Sequence, residues 1–236
     1  MSKKKSSKQP KRNPVPFVLA AVAVAAVVLV LALGGKDKTD FTSGTGNGGT
    51  GGKPAGSVTA DVKLLEQDLI YYADIDMEGY GVITVQLDQS AAPVTAANFV
   101  MLAKRGFYDG LTFHRIMYGY MMQGGCPEGT GYGGSDRTIV GEFAANGYNN
   151  PLSHKRGAIS MARAQDYNSA SSQFFIMHQD YTGWDGNYAA FGYVVEGMDI
   201  VDAVCAAARP IDGNGSIAKA QQPVMKSVTI RTEKAQ

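Results

Sequence analysis

A cation, two amides and several large apolar side chains recur at strand spacing in the middle of the chain. Alternate residues of a strand face opposite sides of its sheet, so residues of one parity share a surface. Apolar side chains suited to a core fit the inward set: Phe113, Ile116, Met161, Phe174 and Ile176. On or beside the parity opposite to this set lie Arg115, Tyr120, Met121, Gln123, Gln173 and Phe175.

The second set predicts a binding surface for a short peptide. An outer face rich in Met, Phe and Tyr exposes apolar area to water unless a ligand docks on it. Apolar walls suit an apolar ring, side-chain amides suit backbone groups, and Arg115 adds a permanent charge with rigid donors. A single aromatic residue or methionine is more often part of a core. The prediction therefore rests on the combination of apolar side chains, two amides and one cation on the same face.

Two motifs for other chemistries are incomplete or missing. Residues 129–134 match G-x-G-x-x-G, but a dinucleotide site needs a strand before the motif and a helix after it. Residues 135–140 have the composition of a strand, which argues against a nucleotide site. The chain has no Gly-x-Ser-x-Gly motif and no cysteine in a nucleophile signature, so covalent hydrolysis is unsupported.

Metal-binding patterns are also incomplete. Asp74 and Asp76 begin like a calcium loop, but Val85 stands at the twelfth position, where a bidentate Glu is required. A hairpin turn at residues 78–79 is the favoured interpretation. The histidines lack the paired spacing of metal ligands; they are His114, His154 and His178. We therefore predict no metal and no cofactor.

The predicted elements are mostly short strands between glycines. Their periodicity and stop signals also indicate two helices, at residues 93–104 and 198–208. This pattern is typical of a closed antiparallel barrel with plugged ends. The predicted strands are 82–87, 111–116, 120–123, 158–162, 173–178, 189–195 and 225–231.

The N-terminal part reads as an anchor and a tether. Residues 1–12 hold six basic and no acidic side chains, and residues 17–33 contain no charged or polar side chain. As a helix this run spans about 25 Å, close to a bilayer core of about 30 Å once its neighbours are added. The basic cluster should stay cytoplasmic, which places the following residues outside.

The predicted organisation therefore has four segments. A cleaved signal peptide is the alternative to an anchor, since residues 32–34 form a passable cleavage site, but the apolar run is longer than usual signal cores. Residues 34–60 hold nine glycines, typical of a flexible linker. The segments are a basic cytoplasmic tail (1–13), a transmembrane signal-anchor (14–35), a Gly-rich linker (36–60) and one domain (61–236).

The net charge of the predicted domain argues against nucleic-acid binding, and its two cysteines raise the question of a disulfide. From residue 60 onward the chain has 13 basic and 19 acidic side chains, a net charge of −6, which disfavours binding to a phosphate backbone. Cys126 and Cys205 could form a disulfide outside the cytoplasm. Cys205 lies on the apolar face of the second helix, so a buried free thiol is favoured over a bond.

Five motifs, in order, resemble cyclophilins, which are peptidyl-prolyl cis–trans isomerases. The similarity covers nearly all of residues 80–208, and the combination is far more specific than any one motif. The resemblance implies an eight-stranded, closed antiparallel barrel capped by two α-helices, with isomerase activity and no cofactor. The motifs are Phe-His-Arg (113–115), Met-x-Gln-Gly-Gly (121–125), Ser-Met-Ala-x-Ala (160–164), Ser-Gln-Phe-Phe-Ile (172–176) and Phe-Gly-x-Val (191–194).

The resemblance also implies site residues. Arg115 matches the catalytic arginine, and Phe175 matches the floor of the proline pocket. Matching substrate-binding positions are Tyr120 (usually Phe), Met121, Gln123, Ala162, Arg163 (usually Asn), Gln173, Trp184 (usually Leu) and Tyr188 (usually His). Gly183 stands where the family often has Trp, which argues against tight cyclosporin binding.

The sequence thus predicts a membrane-anchored bacterial cyclophilin that acts on extracytoplasmic X–Pro bonds and assists folding. Its expected partners are proline-containing peptides or unfolded segments and the membrane, but no nucleic acid, and the chain is expected to be monomeric. Two alternatives stay open: a non-catalytic proline-peptide-binding module on the same fold, and a surface domain that binds through its acidic face.

Overall fold

The computed structural model describes residues 62–235. The predicted tail, signal-anchor and Gly-rich linker lie outside the described residues, and the domain limits of 61–236 stay a prediction. Within residues 62–235, no helix combines the length and the apolar character needed to cross a bilayer.

Eight strands and two helices make up the described part, with short 3-10 turns at residues 144–146, 182–184 and 219–221. The elements are β1 (Leu69–Met77), β2 (Gly81–Leu87), α1 (Pro93–Lys104), β3 (Phe113–Met117), β4 (Met121–Gly124), β5 (Ala158–Met161), β6 (Phe174–Met177), β7 (Ala190–Glu196), α2 (Met198–Ala207) and β8 (Met225–Lys234). Both helices and the hairpin turn after Met77 are confirmed.

Strand β1 is the element that the sequence analysis missed. Its inward residues Ala73, Ile75 and Met77 are buried, and they alternate with Asp74 and Asp76 on the outer face. The acidic pair suggested a loop, although it marks only the solvated side of a half-buried strand.

All strands belong to one antiparallel sheet with the order β3-β4-β6-β5-β7-β2-β1-β8. The predicted closed barrel is wrong: the sheet is an open half-barrel whose edge strands are β3 and β8. Those edges meet over a short stretch, at an isolated bridge between Thr112 and Val224. Backbone hydrogen bonds flank the bridge, from the Phe113 N–H to the Pro223 carbonyl and from the Met225 N–H to the Leu111 carbonyl.

The reason the sheet stays open is that another segment occupies the free edge of β3. The Ile116 N–H donates to the carbonyl of Gly215 at 2.8 Å, and Arg115 forms an isolated bridge with Ser216. Because residues 215–216 take these positions, β8 cannot continue its pairing along β3.

The core lies on the inner face of the sheet, against α1. The Phe99 ring on α1 stacks on Tyr108 at 4.9 Å and meets Phe174 and Phe191 edge-on or tilted at 5.3 Å. The predicted inward set is confirmed, since each member is buried: Phe113, Ile116, Met161, Phe174 and Ile176. Cys126 and Cys205 are both buried and unbonded, and burial raises the pKa of Cys205 to about 12.

A carboxylate from a distant segment caps the start of α1. No side chain at the N-cap residue Ala92 satisfies the first N–H groups. Instead, buried Glu142 accepts hydrogen bonds from the N–H groups of Val94 and Thr95 at 3.0 and 2.8 Å and from the Thr95 hydroxyl at 2.6 Å. The negative charge also suits the helix N-terminus. This contact ties α1 to residues 141–148, which border the site described below.

Candidate functional site

Strand pairing places four side chains in one row across the outer face of the sheet. Arg115 on β3 is in register with Gln123 on β4, Gln123 with Phe175 on β6, and Phe175 with Ser160 on β5. Residues in register on neighbouring antiparallel strands share a face. The cation, an amide and an aromatic ring are therefore neighbours although they are up to 60 residues apart in the chain.

Beside this row lies a second apolar cluster, separate from the core. We call it the outer cluster; its buried members are Met121, Ala158, Phe175 and Met177. Trp184 packs edge-on against Phe175 at 5.0 Å and lies 4.8 Å from Tyr120 and 5.2 Å from Tyr188. The partly exposed residues that pack against the outer cluster are Met117, Tyr120, Ala162, Trp184, Tyr188 and Tyr193. A buried apolar floor thus lies beneath a partly exposed aromatic rim.

Arg115 is held by one hydrogen bond at each of its nitrogens. Nε donates to the carbonyl of Asn214 at 2.8 Å, Nη1 donates to Oε1 of Gln123 at 3.2 Å, and Nη2 donates to Sδ of Met117 at 3.2 Å. A guanidinium has five N–H donors, so one hydrogen on each terminal nitrogen is not used by these bonds.

The charge of Arg115 is maintained despite partial burial. Burial lowers the pKa of its guanidinium, while Tyr120, Tyr188 and Asp212 act in the opposite direction. Arginine stays protonated in proteins, so the site presents a fixed positive charge beside an apolar surface.

Two glutamines continue the polar contacts away from Arg115. Nε2 of Gln123 donates to Oε1 of Gln173 at 3.0 Å, and Nε2 of Gln173 donates to the carbonyls of Gly131 and Gly133 at 2.9 and 2.7 Å. Since those carbonyls can only accept, Gln173 must direct its amide nitrogen towards them. Its oxygen therefore faces Gln123, and the oxygen of Gln123 faces Arg115.

A buried polar group supports Phe175 from behind. The His154 ring stacks on Phe175 with centroids 5.9 Å apart. Its Nδ1 lies 2.9 Å from Oδ1 of Asp185, and its Nε2 lies 3.0 Å from the Ser160 hydroxyl. Burial lowers the pKa of His154, against the opposing effect of the Asp185 hydrogen bond.

These three residues have the connectivity of a hydrolytic triad but not its accessibility. His154 and Ser160 are both fully buried, so no substrate carbonyl can reach the serine hydroxyl. The group formed by His154, Asp185 and Ser160 instead supports Phe175, which is the floor of the site.

The structure brings the predicted site residues together in three ways. One group of residues is joined by hydrogen bonds, a second group packs in or around the outer cluster, and Arg163 lies at the border of the site. The hydrogen-bonded residues are Arg115, Gln123 and Gln173. The residues that belong to the outer cluster or pack against it are Tyr120, Met121, Ala162, Phe175, Trp184 and Tyr188.

The Arg163 side chain is engaged within the protein. Its guanidinium lies 4.8 Å from the centre of the Tyr188 ring, 4.9 Å from Tyr167 and 5.2 Å from Phe143. It also donates to the carbonyl of Asn187 from Nε and Nη2, at 3.1 and 3.0 Å. Arg163 therefore supports the rim from outside the outer cluster.

Sequence reasoning missed several contacts of the site. Met117 has the same parity as Arg115 in β3, so strand alternation could have identified it. The carbonyl of Asn214 lies 99 residues away in sequence from Arg115, and no local pattern marks it. The buried His154 and Asp185 were considered only as metal-ligand types or not at all.

Comparison with known proteins agrees with this geometry. Residues 72–233 match the family model described as cyclophilin type peptidyl-prolyl cis-trans isomerase/CLD. A peptidyl-prolyl cis-trans isomerase of Helicobacter pylori is 42% identical over 148 residues, which are 62% of this chain and 88% of that protein. Peptidyl-prolyl cis-trans isomerase B of Bacillus subtilis is 47% identical over 117 residues, covering 50% of this chain and 78% of that protein.

A solved structure is similar as well. The Cryptosporidium parvum cyclophilin type peptidyl-prolyl cis-trans isomerase, crystallised in the presence of the dipeptide Ala-Pro, superposes with a TM-score of 0.60 at 28% identity. The match covers 69% of this chain and 99% of that one. Because the family model spans more than half of the chain, and a relative 42% identical is covered over most of its length, the chain belongs to the cyclophilin-type peptidyl-prolyl cis-trans isomerase family.

Proposed function

We propose that this isomerase binds the proline ring on the outer cluster and uses Arg115 to stabilise the twisted X–Pro amide. The observation that carries the proposal is the row across the sheet, in which the guanidinium and Phe175 flank Gln123 on one face. A peptide lying across this row has its apolar ring on Phe175 and Met121 and its amide beside a fixed donor.

The chemistry requires no nucleophile. Amide resonance creates a rotation barrier of about 18–20 kcal/mol. When the bond twists, resonance is lost and the proline nitrogen becomes pyramidal with a localised lone pair. A donor aimed at that nitrogen interacts more strongly with the twisted amide than with the planar one, which is the condition for catalysis by differential binding.

Arg115 has the donors for this task. Three of its five N–H groups are used by Asn214, Gln123 and Met117, and the other two are available to a substrate. The internal bonds hold the guanidinium in place before substrate arrives, so little reorganisation is needed during rotation. For the peptide backbone, Gln123 keeps one N–H donor, and the amide oxygens of Gln123 and Gln173 each keep one lone pair.

The substrate class follows from the shape of the site. A partly exposed aromatic rim surrounds a small apolar floor, which suits a short exposed stretch around a proline in an unfolded protein segment. The C. parvum relative was crystallised in the presence of Ala-Pro, and we propose the same dipeptide unit as the minimal ligand here.

The activity is tested by NMR exchange between the cis and trans forms of a proline-containing peptide with the full chain. Arg115→Ala should lower the exchange rate about 100-fold, the order of magnitude for loss of one transition-state donor. Trp184 is the only tryptophan of the chain and lies in the outer cluster, so its fluorescence reports peptide binding separately.

The test distinguishes a catalytic role of Arg115 from a dispensable one, and an enzyme from a peptide-binding module. Retained binding with a lost exchange rate in Arg115→Ala supports the assigned role. Full activity in that variant contradicts it. Binding by the wild-type chain without any exchange identifies a non-catalytic proline-peptide-binding module instead.

We further propose that the chain is a membrane-anchored bacterial member that acts outside the cytoplasm. The support is the sequence pattern of six basic residues followed by an uncharged apolar run at residues 17–33. At that location the enzyme would accelerate X–Pro isomerisation, a slow step in the folding of exported chains.

A C-terminal fusion of the full chain to alkaline phosphatase, which is active only in an oxidising compartment, tests this location. We expect activity that is lost when residues 1–35 are deleted. A fusion that is inactive with residues 1–35 present contradicts an external domain.

A further inference from the structure

We propose that Asp212 is a positioning residue for catalysis, because it shapes the turn that aims the guanidinium of Arg115. This inference rests on the proposed role of Arg115 and extends it to a segment almost 100 residues away. The segment, residues 212–216, connects α2 to β8 and lies along the free edge of β3.

The Asp212 carboxylate organises this turn. Its Oδ1 accepts hydrogen bonds from the N–H groups of Asn214 at 2.9 Å and Ser216 at 3.0 Å. Aspartate side chains stabilise turns in this way by bonding to the backbone a few residues ahead. Both contacts are made by one oxygen, so removing the carboxylate leaves two backbone donors without their partner.

The turn is docked tightly on β3. The Gly215 carbonyl accepts from the Ile116 N–H at 2.8 Å. Gly215 has a φ of +86°, and a Cβ at this position would lie 2.7 Å from the Ile116 carbonyl and 2.7 Å from Cγ of Met117. A residue with a side chain is excluded on both grounds, so the turn approaches the strand as closely as a backbone can.

The Asp212 hydrogen bonds and the docking of the turn on β3 together fix the position of the Asn214 carbonyl. That oxygen accepts from Nε of Arg115 at 2.8 Å. The other two contacts of the guanidinium come from Met117 and Gln123, which belong to the same β3–β4 hairpin as Arg115 itself. The Asn214 carbonyl is therefore the hydrogen-bond contact that comes from outside the hairpin.

The Nε contact decides the orientation of the guanidinium. Nε and both terminal nitrogens lie in one rigid plane, so an acceptor fixed at Nε fixes the direction of the two donors left for substrate. If the turn loosens, Arg115 keeps its charge but spends less time in the productive orientation. No residue of the turn belongs to the outer cluster, and of the residues packed around that cluster only Met117 lies beside Gly215. Peptide binding should therefore change little.

Kinetics of the full chain test the inference. We expect Asp212→Ala to lower kcat about tenfold, consistent with the sensitivity of catalysis to small misplacements, and to leave KM within about twofold. Asp212→Asn keeps an acceptor oxygen in the turn and should recover most of kcat. In NMR spectra, Asp212→Ala should also speed the hydrogen exchange of the Arg115 Nε–H, which a general loss of stability would not do selectively.

Asp88→Ala is the matched control. Oδ1 of Asp88 accepts from the N–H groups of Ser90 and Ala91, both at 3.0 Å, in a turn of the same kind before α1. Its loss should leave kcat unchanged.

Three results overturn the inference: unchanged kcat in Asp212→Ala, a change in KM alone, or no recovery in Asp212→Asn. Arg115→Ala measured in parallel separates the two proposals. If Arg115→Ala is inactive and Asp212→Ala is fully active, only the role of Asp212 is refuted. If Arg115→Ala is fully active, the proposed function itself is refuted.

Discussion

Phe174 and Phe175 are adjacent in β6, and yet they belong to different parts of the molecule. Both are almost fully buried, with exposures of 0% and 3%. Phe174 packs in the core among Phe99, Tyr108 and Phe113, whereas Phe175 lies in the outer cluster below Trp184 and Tyr188. Burial alone therefore does not distinguish a structural residue from a site residue.

The difference lies in what surrounds each ring. Around Phe174 every neighbouring ring belongs to the sealed core. Around Phe175 the Trp184 and Tyr188 rings are partly exposed, and a hydrogen-bonded cation and two amides lie beside it. The inner face stabilises the fold, and the outer face keeps an apolar surface that a ligand can complete. Four experiments test this division.

The largest effect is expected from Phe174→Ala. Removing a fully buried phenylalanine costs about 3–5 kcal/mol through lost burial and the cavity left behind. Urea denaturation should show this loss, while the surviving folded molecules keep their peptide affinity. A loss below about 1 kcal/mol would contradict the assignment of Phe174 to the core.

The second test uses pH and the buried His114, which precedes Arg115 in β3. Burial, followed by the charge of Arg115, lowers the pKa of His114 to about 4, and neither ring nitrogen has a hydrogen-bond partner within residues 62–235. The unfolded chain takes up this proton near pH 6.5, before the folded one does. Stability is thus fully present above pH 6.5 and falls as the pH decreases towards 4, by about 3 kcal/mol at most.

Urea titrations between pH 7 and pH 4 should show this slope for the wild-type chain and a much smaller one for His114→Phe. An equal slope in both proteins would assign the acid sensitivity to other groups.

Phe175→Ala should affect function more than folding. We expect kcat/KM to fall about tenfold to 100-fold, equivalent to about 1.4–2.7 kcal/mol, because the floor for the proline ring is removed. The loss of unfolding free energy should be smaller than in Phe174→Ala, because the rim side chains can settle into the space. A larger stability loss than in Phe174→Ala, with unchanged kcat/KM, would reverse the division between the two faces.

The smallest effect is expected at the rim. Arg163→Ala removes the cation beside Tyr188, a contact worth about 0.5–1 kcal/mol at exposed sites. KM should therefore rise about twofold to fivefold, with kcat unchanged, since Arg163 does not contact Arg115. An effect on kcat alone would show that Arg163 acts on the reacting bond.

Strand alternation carried much of the prediction. The parity of residues 173–176 separated Phe174 and Ile176 from Gln173 and Phe175, and the structure confirms the burial of every member of the predicted core set. In β3 simple parity does not hold, because the register shifts between Phe113 and Arg115. Helix α1 begins and ends at the predicted residues, since Pro93 and Gly106 mark its limits. Its capping by Glu142 was not predicted, because the carboxylate is 47 residues away from Thr95.

Two of the three failures have a common cause. The closed barrel was wrong because the 212–216 turn occupies the edge of β3, and strand composition carries no information about which segment takes an edge. The contact from Asn214 to Arg115 was missed for the same reason. Strand β1 was missed because Asp74 and Asp76 drew attention to a loop pattern.

By itself, the sequence determined which residues of the predicted strands form the core, the types of chemistry available and the family to which the chain belongs. These properties follow from local periodicity and from the identity of residues in ordered motifs. The tertiary structure alone decided that the sheet stays open, that Arg115 is held by a turn 99 residues away, and that His154 lies beneath Phe175. Such contacts depend on how distant segments compete for the same edge or cavity, and that competition is settled by packing of the whole domain.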